Sequence, residues 1–274
     1  MSTTAFVLGG GGVLGAAEVG MLRALLEAGV RPDLVIGTSV GALNGSLLAT
    51  DPELDVVDRL VGLWESAASG KDVYGEGVVR QMSRAVRTGT HLHSSEPLRQ
   101  RLADELGDVT FDELEVPFQC CAASIERAAE HWFTEGRVVD AVVASAAVPG
   151  LLEPAVVGDE HFLDGGIVNS IPVGRAVEAG ATRIFVLQVG RIERPLQPPR
   201  RPWEVARVSF EIARRHRFHR EMDALPHQVA AYVLPTGGGS PRDDSILAYR
   251  SFGSIRRRIE KAYVASAAYL EEHL

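Results

Sequence analysis

The chain has 274 residues, of which 46% are hydrophobic and 23% charged. This composition suits one large α/β domain with a substantial core and excludes a disordered chain. The formal net charge of −8 argues against a nucleic-acid-binding protein. No apolar run reaches the roughly 20 residues needed to span a bilayer. The N-terminus also lacks a secretory signal pattern, so we expect a cytoplasmic protein that is at most peripheral to a membrane.

The first 37 residues predict a β-loop-α-β unit. Residues 5–8 form an apolar strand, and a helix over 16–28 carries an apolar stripe before it ends at Gly29. A second strand covers 33–37. This order predicts two parallel strands joined by a right-handed crossover.

The glycine run at residues 9–12 has two interpretations. Gly10, Gly12 and Gly15 match the G-x-G-x-x-G dinucleotide fingerprint, which requires an acidic residue at the end of the second strand. Asp33 lies at the beginning of that strand instead. We therefore favour the second interpretation, in which backbone N–H groups of Gly10, Gly11 and Gly12 form an oxyanion hole.

The second strand ends in a G-x-S-x-G motif made by Gly37, Ser39 and Gly41. An apolar strand precedes it and a helix of small residues follows, which is the context of a nucleophile elbow. The sharp turn brings the strand and helix backbones together, so glycine is the residue that fits on each side of the serine. Ser39 is therefore the candidate nucleophile.

The rest of the chain predicts further alternation of helices and strands. His91 and His93 are interpreted as loop residues rather than metal ligands, and adjacent Cys120 and Cys121 as free core residues. Helices are predicted over 52–68, 75–86, from 94–98 onward, 138–147, from Pro172 to 179, 203–222 and 251–270; strands over 118–125, within 126–136, in a hairpin over 154–163, and over 183–189 and 229–234.

Prolines at 195, 198, 199 and 202 predict an exposed linker before the helix at 203–222. That helix is strongly basic, which is unusual in an acidic chain. A basic amphipathic helix can contact anionic lipid headgroups. The interpretation we favour is a solvated helix face.

Three motifs in order make the chain resemble the patatin-like phospholipase family. They are the glycines at 9–12, the elbow at 37–41 and Asp164-Gly165-Gly166; the block at 144–150, followed by Glu153-Pro154, also looks like that family's central region. The likeness covers about residues 5–190. One departure is Leu14, which stands where the family usually has Arg or Lys, so any contact from that cation is missing.

The resemblance implies a single catalytic domain over 1–274 with an α/β/α three-layer sandwich and a mostly parallel sheet. It also implies a hydrolase of carboxylic esters of lipids that needs no cofactor or metal. Ser39 would be the nucleophile and Asp164 the general base, with Gly165 and Gly166 beside it. Burial should raise the pKa of that carboxyl and make it a better base.

Three alternatives remain open from the residues. Asp164 could be an ordinary hairpin-turn aspartate. The chain order Ser39, Asp164 and then His216, His219 or His227 also satisfies a Ser-His-Asp hydrolase. A catalytically silent lipid-binding protein would fit the basic helix and Leu14. The lipid class and the oligomeric state do not follow from the sequence.

Overall fold

The fold is built on a mixed β-sheet that has eight strands within the part of the chain described. The computed structural model describes residues 3–69, 91–190, 192, 195–238 and 252–274. The helix predicted over 75–86 lies outside these ranges.

The described elements follow the predicted order with small shifts at their ends. The strands are β1 Thr4–Leu8, β2 Leu34–Thr38, β3 Phe118–Ser124, β4 Ala129–Phe133, β5 Ala155–Val157, β6 Glu160–Asp164, β7 Arg183–Leu187 and β8 Ala230–Val233. The helices are α1 Ala16–Glu27, α2 Val40–Thr50, α3 Asp55–Ser69, α4 Glu96–Leu106, α5 Val138–Ser145, α6 Val173–Glu178, α7 Pro202–Asp223 and α8 Phe252–His273. Short 3-10 helices cover Gly12–Gly15, Phe111–Glu113 and Gly165–Ile167.

The sheet has a parallel half and an antiparallel half. β1 lies between β2 and β7, and the pairs β2–β3 and β7–β8 extend this parallel part. The pairs β3–β4, β3–β6 and β5–β6 are antiparallel. Four of these seven pairings are parallel, so the sheet is mostly parallel, as predicted.

Successive residues of β1 point to opposite faces of the sheet, and each face has its own core. Phe6 and Leu8 belong to one buried cluster, which also contains residues of α1, α2 and α8. Ala5 and Val7 belong to a second cluster with residues of α6 and α7. Helices therefore cover both faces, which confirms the predicted three-layer α/β/α architecture.

The closing helix α8 packs closely on α1. A Cβ placed on Gly20 would lie 2.1 Å from the carbonyl oxygen of Ile259, so the two backbones approach to a distance that only glycine allows. Ile255, Ile259 and Ala262 are buried in the same cluster as the apolar stripe of α1. The C-terminal helix is thus part of the core.

Strand β3 brings the C-terminal ends of two other strands together. Its residues Cys120 and Cys121 pair with both β2 and β4, and its residues 122–124 pair with both β4 and β6. Because β4 occupies one edge of β3, β2 and β6 share the other edge. β2 runs parallel and β6 antiparallel to β3, so their C-terminal ends meet.

Candidate active site

The nucleophile elbow has the geometry that its glycines predict. Ser39 lies between β2 and α2 with φ 55° and ψ −121°, a positive-φ conformation that is unfavourable for a non-glycine residue. A Cβ on Gly37 would lie 2.5 Å from the carbonyl oxygen of Gly41, and one on Gly41 would lie 2.2 Å from that of Leu8. The close approach of β2, α2 and β1 therefore excludes larger residues at both glycine positions.

Asp164 contacts Ser39 directly. Thr38, the last residue of β2, is paired with Cys121, and Asp164, the last residue of β6, is paired with Ala122. Ser39 Oγ lies 2.5 Å from Asp164 Oδ2 and donates a hydrogen bond to it. The two side chains are 125 positions apart in sequence, and the shared edge of β3 places them within bonding reach.

The 3-10 helix that follows Asp164 holds its carboxylate in place. The Gly166 N–H donates to Asp164 Oδ1 at 2.7 Å, so each carboxylate oxygen has a donor. A Cβ on Gly165 would lie 2.1 Å from the carbonyl oxygen of Cys121, and one on Gly166 would lie 3.1 Å from the Phe210 ring. The backbone contact excludes a larger residue at Gly165, and at Gly166 a larger residue would have to displace the Asp164 carboxylate or the Phe210 ring.

Burial changes the acidity of Asp164. Removal from water raises its pKa to about 6, although the hydrogen bonds from Ser39 and Gly166 act in the opposite direction. A carboxyl with this pKa can accept a proton from a hydroxyl group more readily than a free aspartate, and still be ionised at neutral pH.

The glycine loop offers fewer free donors than the sequence suggests. The Gly9 N–H donates to Leu187 O at 2.9 Å, and the Gly10 N–H donates to Ser170 O at 2.8 Å. Gly10 was predicted as an oxyanion donor, but its amide is already bound to the main chain. Gly11 and Gly12, at the start of the first 3-10 helix, remain the candidate donors.

The same contacts argue against a dinucleotide site. A pyrophosphate would need free N–H groups in the loop, whereas two of these amides bind main-chain carbonyls. The second strand ends in Ser39, without the acidic residue that would bind a ribose hydroxyl.

Three sets of residues near the site escaped the sequence analysis. Ser145, at the end of α5, accepts the Ser39 N–H at 2.9 Å and donates to Cys121 O at 2.5 Å. Arg214 of α7 is buried behind the glycine loop. The third set joins α1, α2 and α3: Asn44 donates to Glu18 Oε2 at 2.7 Å and accepts from Trp64 Nε1 at 3.1 Å.

Two of the missed residues, Ser145 and Arg214, have a weak signal in the sequence. Ser145 lies in the block at 144–150 that carries part of the family resemblance. Arg214 follows Phe210 and precedes Phe218 by four residues each, so it interrupts an apolar helical stripe. The sequence does not show which carbonyl groups lie opposite such a residue, so this interruption alone does not indicate that its charge is buried.

No histidine lies between Ser39 and Asp164, because the two side chains are hydrogen-bonded directly. His216, His219 and His227 are exposed, and His161 pairs with Glu126 at 2.7 Å. His91 lies 3.2 Å from Glu153, and His93 forms an isolated bridge with Leu152. Among the described residues there is no group of three or more His, Cys, Asp or Glu side chains placed to hold a metal ion.

The basic helix α7 differs from the solvated face that we favoured. Arg214 is buried, and Arg217 donates to Val168 O at 2.7 Å and pairs with Glu130 and Glu221. These arginines bind the protein itself, while Val205 and Ile212 are exposed on the same helix.

The comparisons with known proteins agree with the motifs. A family model described as Patatin-like phospholipase matches residues 6–177, more than half of the chain, so this chain belongs to the patatin-like phospholipase family. The resemblance seen in the sequence is thereby confirmed.

Two curated relatives and one solved structure illustrate the likeness. The chain is 31% identical over 186 residues to the neuropathy target esterase sws of Drosophila melanogaster, covering 67% of this chain and 13% of that protein. It is 30% identical over 195 residues to the lysophospholipase nte1 of Emericella nidulans, covering 68% of this chain and 12% of that protein. The structure of VipD from Legionella pneumophila aligns with a TM-score of 0.49 at 14% identity, covering 99% of this chain and 67% of that one. The chain thus spans about one eighth of the length of these curated relatives.

None of the described helices combines the length and the apolar character required to cross a bilayer.

Proposed function

We propose that this protein is a serine acyl hydrolase that cleaves carboxylic esters of lipids through a Ser39–Asp164 dyad. The observation that carries the proposal is the 2.5 Å hydrogen bond from Ser39 Oγ to Asp164 Oδ2. Membership of the patatin-like phospholipase family and the esterase and lysophospholipase names of the two relatives support a lipid ester as substrate. We extend the proposal to residues 1–274 as one catalytic domain, because α8 packs into the same core as α1.

In the first half of the reaction, Ser39 Oγ attacks the ester carbonyl carbon while its proton passes to Asp164 Oδ2. The carbonyl oxygen becomes an oxyanion, which the N–H groups of Gly11 and Gly12 would stabilise. The bond between the carbonyl carbon and the alcohol oxygen then breaks, and the leaving alcohol takes the proton from Asp164. An acyl-Ser39 ester remains.

In the second half, a water molecule gives a proton to Asp164 and its oxygen attacks the acyl carbon. The bond between that carbon and Ser39 Oγ breaks, Ser39 regains the proton from Asp164, and the carboxylic acid leaves. One carboxyl therefore serves as base and as acid in each half, which requires a pKa not far from neutral. The pKa of about 6 that burial gives Asp164 supports this assignment.

A Ser-His-Asp mechanism has less support. In a triad the imidazole lies between the serine and the carboxylate. Here the Ser39 hydroxyl bonds to the carboxylate directly, so none of the exposed His216, His219 and His227 lies between the two groups.

We also propose a cytoplasmic protein that contacts lipid surfaces peripherally, close to the candidate site. Phe210 of α7 and Ile167 are 41% and 43% exposed, and the Phe210 ring lies against Gly166, two residues after Asp164. Ile212 is 56% exposed on another side of the same helix, because side chains two positions apart on a helix do not share a face, and it lies in line with exposed His216 and Arg220. Apolar and basic side chains together favour the headgroup region of a bilayer.

The cytoplasmic assignment is supported by the cysteines. Cys120 and Cys121 are free and buried, which is compatible with a reducing compartment.

The test of the proposed chemistry is covalent labelling together with hydrolysis. A fluorophosphonate probe should label wild-type protein at Ser39, and Ser39→Ala should remove both the label and the release of fatty acid from a mixed lipid extract. Asp164→Asn should reduce turnover by about a thousandfold or more, because it removes the base. Full turnover by Asp164→Asn would disprove the dyad, and absence of labelling in folded wild-type protein would favour a silent lipid-binding protein.

A further inference from the structure

Arg214 lies in the protein interior although its side chain is charged. It comes from α7, beyond the 6–177 region that matches the family model, and its side chain is only 2% exposed. An arginine keeps its proton even when buried. A charge in this position is costly unless its N–H groups find acceptors, so its partners indicate what the residue does.

The guanidinium joins two segments of chain. Its Nε donates to Ser170 Oγ at 3.2 Å, and its Nη2 donates to Val189 O at 2.5 Å. Ser170 follows the 3-10 helix after Asp164, and Val189 follows β7. Arg214 therefore bridges a segment next to the candidate base and a segment next to the glycine loop.

The glycine loop rests on these same two segments. Ser170 O accepts the Gly10 N–H, and Leu187 O accepts the Gly9 N–H. A Cβ on Gly10 would lie 3.1 Å from Ser170 Oγ and 3.4 Å from Ser39 Cβ, so Gly10 is held between these two serines. A Cβ on Gly11 would lie 2.1 Å from a methyl group of Val189.

Two acidic residues act on the charge of Arg214. Glu211 pairs with it at 3.4 Å, although Arg215 binds the same carboxylate at 3.1 Å. The buried carboxyl of Glu18, on α1, also interacts electrostatically with Arg214. The buried guanidinium is therefore held by these carboxyl groups as well as by its hydrogen bonds to Ser170 and Val189.

From these contacts we infer that Arg214 is a positioning residue of the glycine loop. It fixes the segments that hold Gly9 to Gly11 against Ser39. The inference rests on the proposed function, because its consequence is the placement of the Gly11 and Gly12 donors over the oxyanion.

The kinetic test compares Arg214→Met and Arg214→Lys with the matched control Arg215→Met. Arg215 also binds Glu211, but its Nη1 donates to Ile192 O, three residues beyond Val189. With a soluble, neutral p-nitrophenyl ester, Arg214→Met should lower kcat and the rate of fluorophosphonate labelling about tenfold or more, and leave KM within about twofold. Arg214→Lys should recover part of this loss because it keeps the charge, and Arg215→Met should match the wild type. A folded Arg214→Met variant with wild-type kcat would overturn the inference.

Ser170→Ala keeps the test decisive if Arg214→Met fails to fold. It removes the acceptor of the Arg214 Nε bond and leaves the arginine in place. We expect a several-fold loss of kcat and faster amide hydrogen exchange in the peptide covering residues 8–15, with no change in that peptide for Arg215→Met. Wild-type kcat and exchange in Ser170→Ala would refute the positioning role. The proposed function fails on a different result, namely hydrolysis that survives in Ser39→Ala.

Discussion

Ser39 donates its backbone N–H to the side-chain oxygen of Ser145, 2.9 Å away, and Ser145 donates in turn to the carbonyl of Cys121 at 2.5 Å. Ser145 thus connects the end of α5 to β3 and to the turn that holds the candidate nucleophile. All three groups are buried. The unfavourable backbone conformation of Ser39 needs such support, because strained residues persist only where their surroundings fix them.

Replacing Ser145 with Ala should therefore cost both stability and reactivity. The Ser39 N–H would lose its acceptor, and we expect the free energy of unfolding to fall by about 1–3 kcal/mol. Labelling of Ser39 by a fluorophosphonate should slow severalfold. Ser46→Ala is the matched control, because Ser46 is equally buried but donates to Leu43 O within its own helix. Equal labelling rates in the two variants would contradict the supporting role of Ser145.

The rate of hydrolysis should depend on the ionisation of Asp164. The dyad needs the carboxylate form, and burial raises the pKa of this carboxyl to about 6. We expect kcat/KM of a neutral ester to fall about tenfold for each pH unit below about 6, and to level off above it. The measurement is a pH–rate profile with a check that the fold survives at low pH. A flat profile down to about pH 4.5 would show that no group with this pKa controls the reaction.

The raised pKa of Asp164 should also decrease the free energy of unfolding at high pH. Its folded pKa of about 6 lies above the usual aspartate value of 3.8, so the folded protein binds more protons between these values than the unfolded chain does. The unfolding free energy then decreases as the pH rises through this window, by at most about 3 kcal/mol for a shift of about two units.

Asp164→Asn should remove this pH dependence and unfold less readily than the wild type at pH 8. Chemical denaturation at pH 4 and pH 8 checks this. Asp104→Asn, at an exposed position on α4, should change stability by less than about 0.5 kcal/mol at either pH. Should Asp164→Asn prove less stable than the wild type at pH 8, the carboxylate would be a stabilising group and the raised pKa would be wrong.

Contact with lipid surfaces should depend on the exposed apolar residues of α7. Ile212→Asp places a charge where we propose insertion into the headgroup region, and flotation with vesicles of phosphatidylcholine and phosphatidylglycerol should show severalfold weaker binding. Val264→Asp is the control, because Val264 is similarly exposed on α8. Hydrolysis of a soluble short-chain ester should be unchanged in both variants. If both bind vesicles as the wild type does, α7 is not the contact surface.

Much of the fold could be predicted because local patterns determine it. The apolar runs of β1, β2 and β7, the helix ends at glycines, and the turn between β5 and β6 all depend on near neighbours in sequence. Gly37 and Gly41 were predicted from the steric demands of a tight turn, and a Cβ at either position would clash with backbone.

The remaining features depend on which segments meet in space. No local pattern reveals that the Gly10 N–H binds Ser170 O or that Ser145 supports Ser39. The arginines of α7 looked solvated because a helix of this composition usually is. Arg214 is buried instead, since free carbonyl and hydroxyl groups at Val189 and Ser170 lie opposite it.

Because β2 and β6 meet on one edge of β3, the position of Asp164 relative to Ser39 depends on the register of β6 on β3. β6 pairs with β3 through only three positions, Phe162 to Asp164. A register slip of one residue in this short ladder would carry the Asp164 carboxyl about 3.4 Å along β3 and turn it to the opposite face of the sheet. We therefore expect an insertion or deletion in the β5–β6 hairpin to abolish the proposed activity while most of the molecule keeps its shape, because the hairpin sets the position of Asp164 relative to Ser39.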